Sequence, residues 1–160
     1  QQTRIYSKMN CVKNMLISAA HHNTKWMDMF TQYPQELTER AEKLLEFVGL
    51  YGKRFLISGD LSFGQQKLLE FAMALMNEPK VLLLDEPYEG LAPVIVDEIE
   101  KTLRVIKEQG MTTILVEQNA VRALELADRA VILDTGNIVF DGSAAEVLEN
   151  AELRAEYLAI

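Results

Sequence analysis

The chain has 160 residues, 49% of them apolar and 25% charged, which suits a folded domain with its own core. A formal net charge of −8 argues against nucleic acid as a general partner, because such partners want a basic footprint. The lone Cys11 permits no internal disulfide, adjacent His21 and His22 lack a partner at zinc spacing, and no apolar run approaches the roughly 20 residues of a membrane helix.

Residues 1–35 are polar, mixed and weakly periodic. Within them, Cys11, Val12, Met15, Leu16 and Ala19 predict a short amphipathic helix over Asn10 to Ala20. Met27, Met29 and Phe30 read as apolar face. A second helix over Thr38 to Val48 carries Ala41, Leu44, Leu45 and Val48 at helical spacing, and Gly49 stops it. Ser62-Phe63-Gly64-Gln65 has a hydroxyl at the N-cap and a Gln three residues on, so it opens a third helix as a capping box. Leu68, Leu69, Ala72, Leu75 and Met76 form its inward stripe. Val81 to Leu84 is a continuous aliphatic run, expected to be a parallel strand buried on both faces. Pro93 starts a helix that reaches Gln109, with Ile95, Ile99, Leu103 and Ile106 inward. Thr112 to Val116 reads as the next buried strand. Asn119 caps a helix through Ala127, and Ala130 to Phe140 reads as a hairpin turning at Thr135-Gly136-Asn137. Ser143-Ala144-Ala145-Glu146 is a second capping box, opening the last helices. The class is therefore α/β. A mainly helical segment, residues 1–78, precedes an α/β segment, residues 79–160, with a parallel sheet.

The chemistry concentrates at two places. Asp85 and Glu86 end an aliphatic strand, and ligands of open α/β sheets sit beyond such carboxyl ends. A hard cation such as Mg²⁺ prefers oxygen ligands, so Asp85 is the candidate metal ligand. Glu86 is the candidate general base for an attacking water. Read by themselves, the two carboxylates are equally a solvated strand end. The second place is the tip of the helix opened by Ser62. The backbone amides of Gly64 and Gln65 and the helix dipole there attract phosphate. A side chain at Gly64 is expected to hinder the approach of a ligand to that backbone. A plain capping box accounts for Ser62 and Gln65 but not for the turn, helix and strand that lead from them to Asp85 and Glu86.

Leu61-Ser62-Phe63-Gly64-Gln65-Gln66 resembles the signature motif of ABC ATPases, and Val81 to Pro87 resembles their Walker B strand. Glu89-Gly90-Leu91-Ala92-Pro93, Val116 to Ala120 and the ending Ala155 to Leu158 resemble the subgroup that powers import of branched-chain amino acids. The resemblance implies the C-terminal part of a P-loop NTPase, a RecA-like parallel sheet with an α-helical ABC subdomain. It implies ATP and Mg²⁺ as ligands, with Asp85 on the metal and Glu86 catalytic. Ser62, Phe63, Gly64 and Gln65 would face the γ-phosphate of a nucleotide held by a second ATPase subunit. Gln1 matches the Q-loop glutamine that touches Mg²⁺, or Gln2 if the register slips by one. Gln118 stands where the switch histidine is usual. It can hydrogen-bond to a phosphate but carries no proton near neutral pH. Phe63 replaces the usual Gly, and Ala92 replaces the frequent D-loop Asp.

The family's partners are transmembrane permease subunits, so Met9 to Met29 is the expected coupling surface and the location is the cytoplasmic face of the membrane, peripherally bound. No G-x-x-x-x-G-K-[ST] phosphate loop occurs, since Gly52-Lys53 is followed by Arg54. The expectation is therefore a fragment of a longer ATPase that alone binds ATP poorly and does not hydrolyse it. Two other readings stand beside the importer. One is a soluble ABC-type ATPase of chromosome or repair work, against which the lack of sustained heptads speaks. The other is a non-catalytic docking module for a transmembrane or regulatory partner.

Overall fold

The computed structural model describes residues 5–19 and 34–158. Gln1, Gln2, His21, His22, Met27, Met29, Phe30 and residues 20–29 of the expected Met9 to Met29 surface lie outside them. The element order is α1 (Cys11–Ala19), α2 (Gln35–Phe47), α3 (Phe63–Leu75), β1 (Val81–Asp85), α4 (Pro93–Glu108), β2 (Thr112–Val116), α5 (Ala120–Leu126), β3 (Arg129–Asp134), β4 (Asn137–Ser143), α6 (Ala144–Glu149) and α7 (Ala151–Tyr157). Two 3₁₀ turns, Tyr51–Lys53 and Ser58–Asp60, join α2 to α3. The fold is α/β with a parallel β1–β2 pair, as a chain alternating strand, helix and strand requires.

Contacts group the chain into two units. One holds residues 1–82 and 89–113, the other residues 83–88 and 114–160, so the boundary passes through β1 and β2. In the first unit α1, α2 and α3 pack together, and α4 adds to α3. Its core includes Met15, Leu45, Leu69 and Ile106, all fully buried. The helix α2 starts three residues before Thr38, because the Pro34 carbonyl accepts from both Leu37 and Thr38 amides. Gly49 ends it at φ +73°, where a side chain would be strained.

The second unit is built on the β3–β4 hairpin. Asp134 pairs with Asn137, which makes Thr135-Gly136 a two-residue loop and places Asn137 in the strand. Both loop residues have positive φ, the requirement of a type I′ turn. Ile132 faces Phe140 and Leu133 faces Ile138, so Val139 is bulged out. Leu124, Ile132, Ala144 and Val147 form the core beneath, closed by Ala127, Phe140 and Leu153. The capping box at Ser143 forms as expected, with Glu146 reaching back to the Ser143 amide.

One expectation fails. Neither β1 nor β2 is buried on both faces: Leu83 is 65% and Ile114 51% exposed. Alternate residues point to opposite faces: Val81 and Leu83 lie on an open face of β1, while Leu82 on the other is buried.

Candidate functional site

The strand ends carry the first group of candidate residues. β1 ends at Asp85, whose carboxylate is exposed. Glu86 follows in the left-handed region at φ 48°, uncommon for a residue with a Cβ. Its amide donates to the Val116 carbonyl at the end of β2 over 2.8 Å. Two residues past β2, Gln118 Nε2 donates to Glu86 Oε1 over 2.7 Å. Backbone and side chain of Glu86 are thus both held from β2, and the carboxylate is set by the register of two adjacent strand ends. Glu117 has a task that its sequence gave no sign of: Oε1 accepts the Tyr88 amide over 2.7 Å, pinning the chain just beyond Glu86. Among the described residues no three His, Cys, Asp or Glu side chains gather into a metal cluster. One or two carboxylates, completed by water and substrate phosphate, are the usual share of protein ligands for Mg²⁺. Asp85 meets that requirement.

The tip of α3 carries the second group. Ser62 Oγ accepts the Gln65 amide over 3.3 Å, and Gln65 Oε1 accepts the Ser62 amide over 3.2 Å, so the capping box is complete. The Gln65 amide is therefore taken. The amides of Phe63 and Gly64, first in the helix, have no intrahelical acceptor, and Phe63 is the exposed residue of the two. Gly64 is buried, against a neighbour the sequence did not announce. A Cβ there would come within 2.8 Å and 2.9 Å of Ile95 Cγ1 and Cγ2 on α4. The absent side chain makes room for Ile95. Phe63 is 56% exposed. Its ring lies against Gly90, where a Cβ would be 3.7 Å from Cε1, and Lys67 Nζ sits 5.6 Å from the ring centroid. Ala92, at the N-cap of α4, offers no side-chain cap.

Asp85, Glu86 and Gln118 thus come together in one unit, and Ser62, Phe63, Gly64 and Gln65 in the other; Gln1 lies outside the described residues. The first group can hold a cation, orient a carboxylate and present it to a water. The second can bind an anion.

Comparison with known proteins agrees with this chemistry. A family model described as ABC transporter matches residues 1–89. The high-affinity branched-chain amino acid transport ATP-binding protein BraG of Pseudomonas aeruginosa is 36% identical over 97% of this chain and 63% of its own length. The lipopolysaccharide export system ATP-binding protein LptB of Acidithiobacillus ferridurans is 29% identical over 99% of the chain and 62% of its own. The chain therefore spans less than two thirds of these relatives. Among solved structures, the ADP conformation of an ATP-binding cassette of an ABC transporter superposes with a TM-score of 0.77 at 28% identity, over 93% of this chain and 62% of that one. With more than half its residues matched by the family model, the chain belongs to the ABC transporter family.

Proposed function

We propose that the chain is the signature and Walker B part of an ATP-hydrolysing subunit that drives import of branched-chain or other amino acids. The observation that carries this reading is the hydrogen bond from Gln118 to Glu86, made at paired strand ends with Glu86 in a strained backbone. Strain of this kind persists where the surroundings over-determine it, and it concentrates at functional sites. Asp85 would hold Mg²⁺, which polarises the transferring phosphate. Glu86 takes a proton from the attacking water, and Gln118 fixes the carboxylate oxygen that receives it. Ser62 and the amides of Phe63 and Gly64 would reach the γ-phosphate of ATP bound by a second ATPase subunit, completing the charge neutralisation. Gln1 would reach the same Mg²⁺. The solute class rests on BraG, which is more similar than LptB, whose named cargo is lipopolysaccharide.

Residues 1–78 would dock on transmembrane permease subunits at the cytoplasmic face of the membrane, and residues 79–160 would carry the strand-end chemistry. Tyr6, Met9, Phe55, Leu56 and Ile57 support the docking role. All are exposed, and the Asn10–Ile57 bridge holds their two segments side by side. An apolar patch of this kind marks an interaction surface. The same patch supports a second reading, a docking module without catalysis.

The test joins the chain at Gln1 to the phosphate-loop segment of a similar family member and measures Mg-ATP turnover. Folding of the chimera is checked by circular dichroism and nucleotide binding by equilibrium dialysis. Turnover that falls by about 10²–10⁴-fold in E86Q, with ATP binding kept, is expected. A folded, ATP-binding chimera whose turnover is the same with E86Q overturns the catalytic role. One that binds permease vesicles but never turns over selects the docking module.

A further inference from the structure

Asn14 on α1 is polar and wholly buried. Its Oδ1 accepts the Tyr6 amide over 2.7 Å. Its Nδ2 reaches the carbonyls of Tyr6 (3.2 Å), Met9 (3.4 Å) and Asn10 (3.0 Å), and Ser58 Oγ (3.1 Å). Ser58, also wholly buried, donates a hydrogen bond from its hydroxyl to the Tyr6 carbonyl over 3.0 Å. The two backbones meet as well: the Ser58 amide donates to the Met9 carbonyl (2.8 Å) and the Gly59 amide to the Ser7 carbonyl (3.0 Å). A Cβ at position 59 would stand 2.8 Å from that Ser7 oxygen, so only Gly permits the approach. On the far side, Gln66 Nε2 donates to the carbonyls of Ser58 (3.2 Å) and Leu61 (3.3 Å). Gln66 belongs to the first turns of α3, directly behind Ser62.

A buried polar network is costly when broken and rigid when fully satisfied. Burial alone does not need one, since an apolar residue at position 14 would fill a core position without desolvating an amide. What the network adds is a stiff connection from the turn Tyr6–Asn10, with its exposed Tyr6 and Met9, through Asn14 and Ser58, to Leu61 and the tip of α3. We infer that Asn14, Ser58 and Gln66 are positioning residues that deliver a displacement of the partner-facing turn to the anion-binding tip at Ser62. The functional meaning rests on the proposed transporter role; the mechanical connection does not.

The test is amide hydrogen exchange on the full 160-residue chain carrying S58A. The near arm is the pair of amides Ser58 and Gly59. The far arm is Ser62 and Gln66. Amides of Leu69 and Ala72 in mid-α3 report global unfolding. Faster exchange in both arms, by about 10- to 100-fold, with the α3 controls unchanged, is expected from the loss of a buried hydroxyl. A near arm that loosens while the far arm stays as before overturns the inference, because Ser58 is then a local brace. Should S58A unfold, Q66M cuts the last link from the half-exposed side at constant volume, and its far arm is read in the same way, with the near arm expected to stay protected. If the chimera described above never hydrolyses ATP while both arms respond, the transporter reading falls and the connection stands. Unresponsive far amides in an active chimera give the converse.

Discussion

Gly64 offers the sharpest test, because two opposed physical effects meet there. Replacing a helical Gly by Ala ordinarily stabilises, by up to about 1 kcal/mol, through backbone entropy and helix propensity. Gly64 has an ordinary negative φ and sits in the first turn of α3, where that gain is smaller. Against it stands Ile95. The three atoms nearest to a new methyl, at 2.8, 2.9 and 3.2 Å, all belong to this one side chain. Optimal carbon–carbon contact is about 3.5–4.0 Å, so the methyl would intrude by more than half an ångström. Ile95 is β-branched on a helix, with one strongly preferred χ1, and cannot swing clear. Overpacking of this kind costs about 1–3 kcal/mol. The net expectation for G64A is a loss of about 0.5–2 kcal/mol, read as a lower urea midpoint at unchanged slope. In a double-mutant cycle with I95A the two changes should couple by about 1 kcal/mol or more, the methyl filling the space Ile95 leaves. A G64A chain more stable than the parent, or a cycle that sums to zero, would show that Gly64 is kept for something other than Ile95.

Three further outcomes follow from the backbone and from one thiol. Thr135 is β-branched at φ 45° in a type I′ loop before Gly136; T135N should raise stability by about 0.5–1 kcal/mol, and an unchanged urea midpoint would count against the turn assignment. Glu86 is held at φ 48°, so E86G should stabilise the chain by about 1 kcal/mol while removing the turnover of the chimera; a destabilised E86G would mean that the Gln118 contact outweighs the strain. Cys11 is wholly buried, and desolvation raises its pKa above the ordinary 9.0, ahead of the opposing backbone hydrogen bond and the charge of Lys53. In the unfolded chain the thiol ionises first, so its contribution is complete below pH 9.0 and is lost as pH rises past that value; a thiol reagent at pH 8 should label native Cys11 far more slowly than in urea.

The parts of this molecule that were legible in its sequence are those decided by near neighbours. Ser62 with Gln65 and Ser143 with Glu146 are reciprocal bonds across three residues, and both form. The aliphatic runs become β1 and β2, and Thr135-Gly136 turns the hairpin. What escaped was set by distant contacts. A continuous aliphatic run means that both faces of a strand are apolar, not that both are covered, so the exposure of Leu83 and Ile114 could not be read from it. Asn14 looks like a solvated helix residue until Ser58, far along the chain, closes over it. Gly64 meets Ile95 of another helix, a contact that its own turn does not announce. Glu117 had no role assigned from the sequence, although its carboxylate fixes the Tyr88 amide.

That last contact bears on how the candidate catalytic carboxylate is held. Glu86 is grasped three times from the end of β2: its amide by the Val116 carbonyl, its side chain by Gln118, and the chain two residues on by Glu117. These three residues are consecutive, the last of β2 and the two that follow it. A slip of one residue that brought Glu117 to Glu86 would set two carboxylates together and leave Val116, whose side chain has no acceptor, beside the Tyr88 N–H. Both contacts would then be lost at once. The sequence Val116-Glu117-Gln118 therefore specifies strand register as well as chemistry, and a substitution at Glu117 should disturb the geometry at Glu86 without touching it.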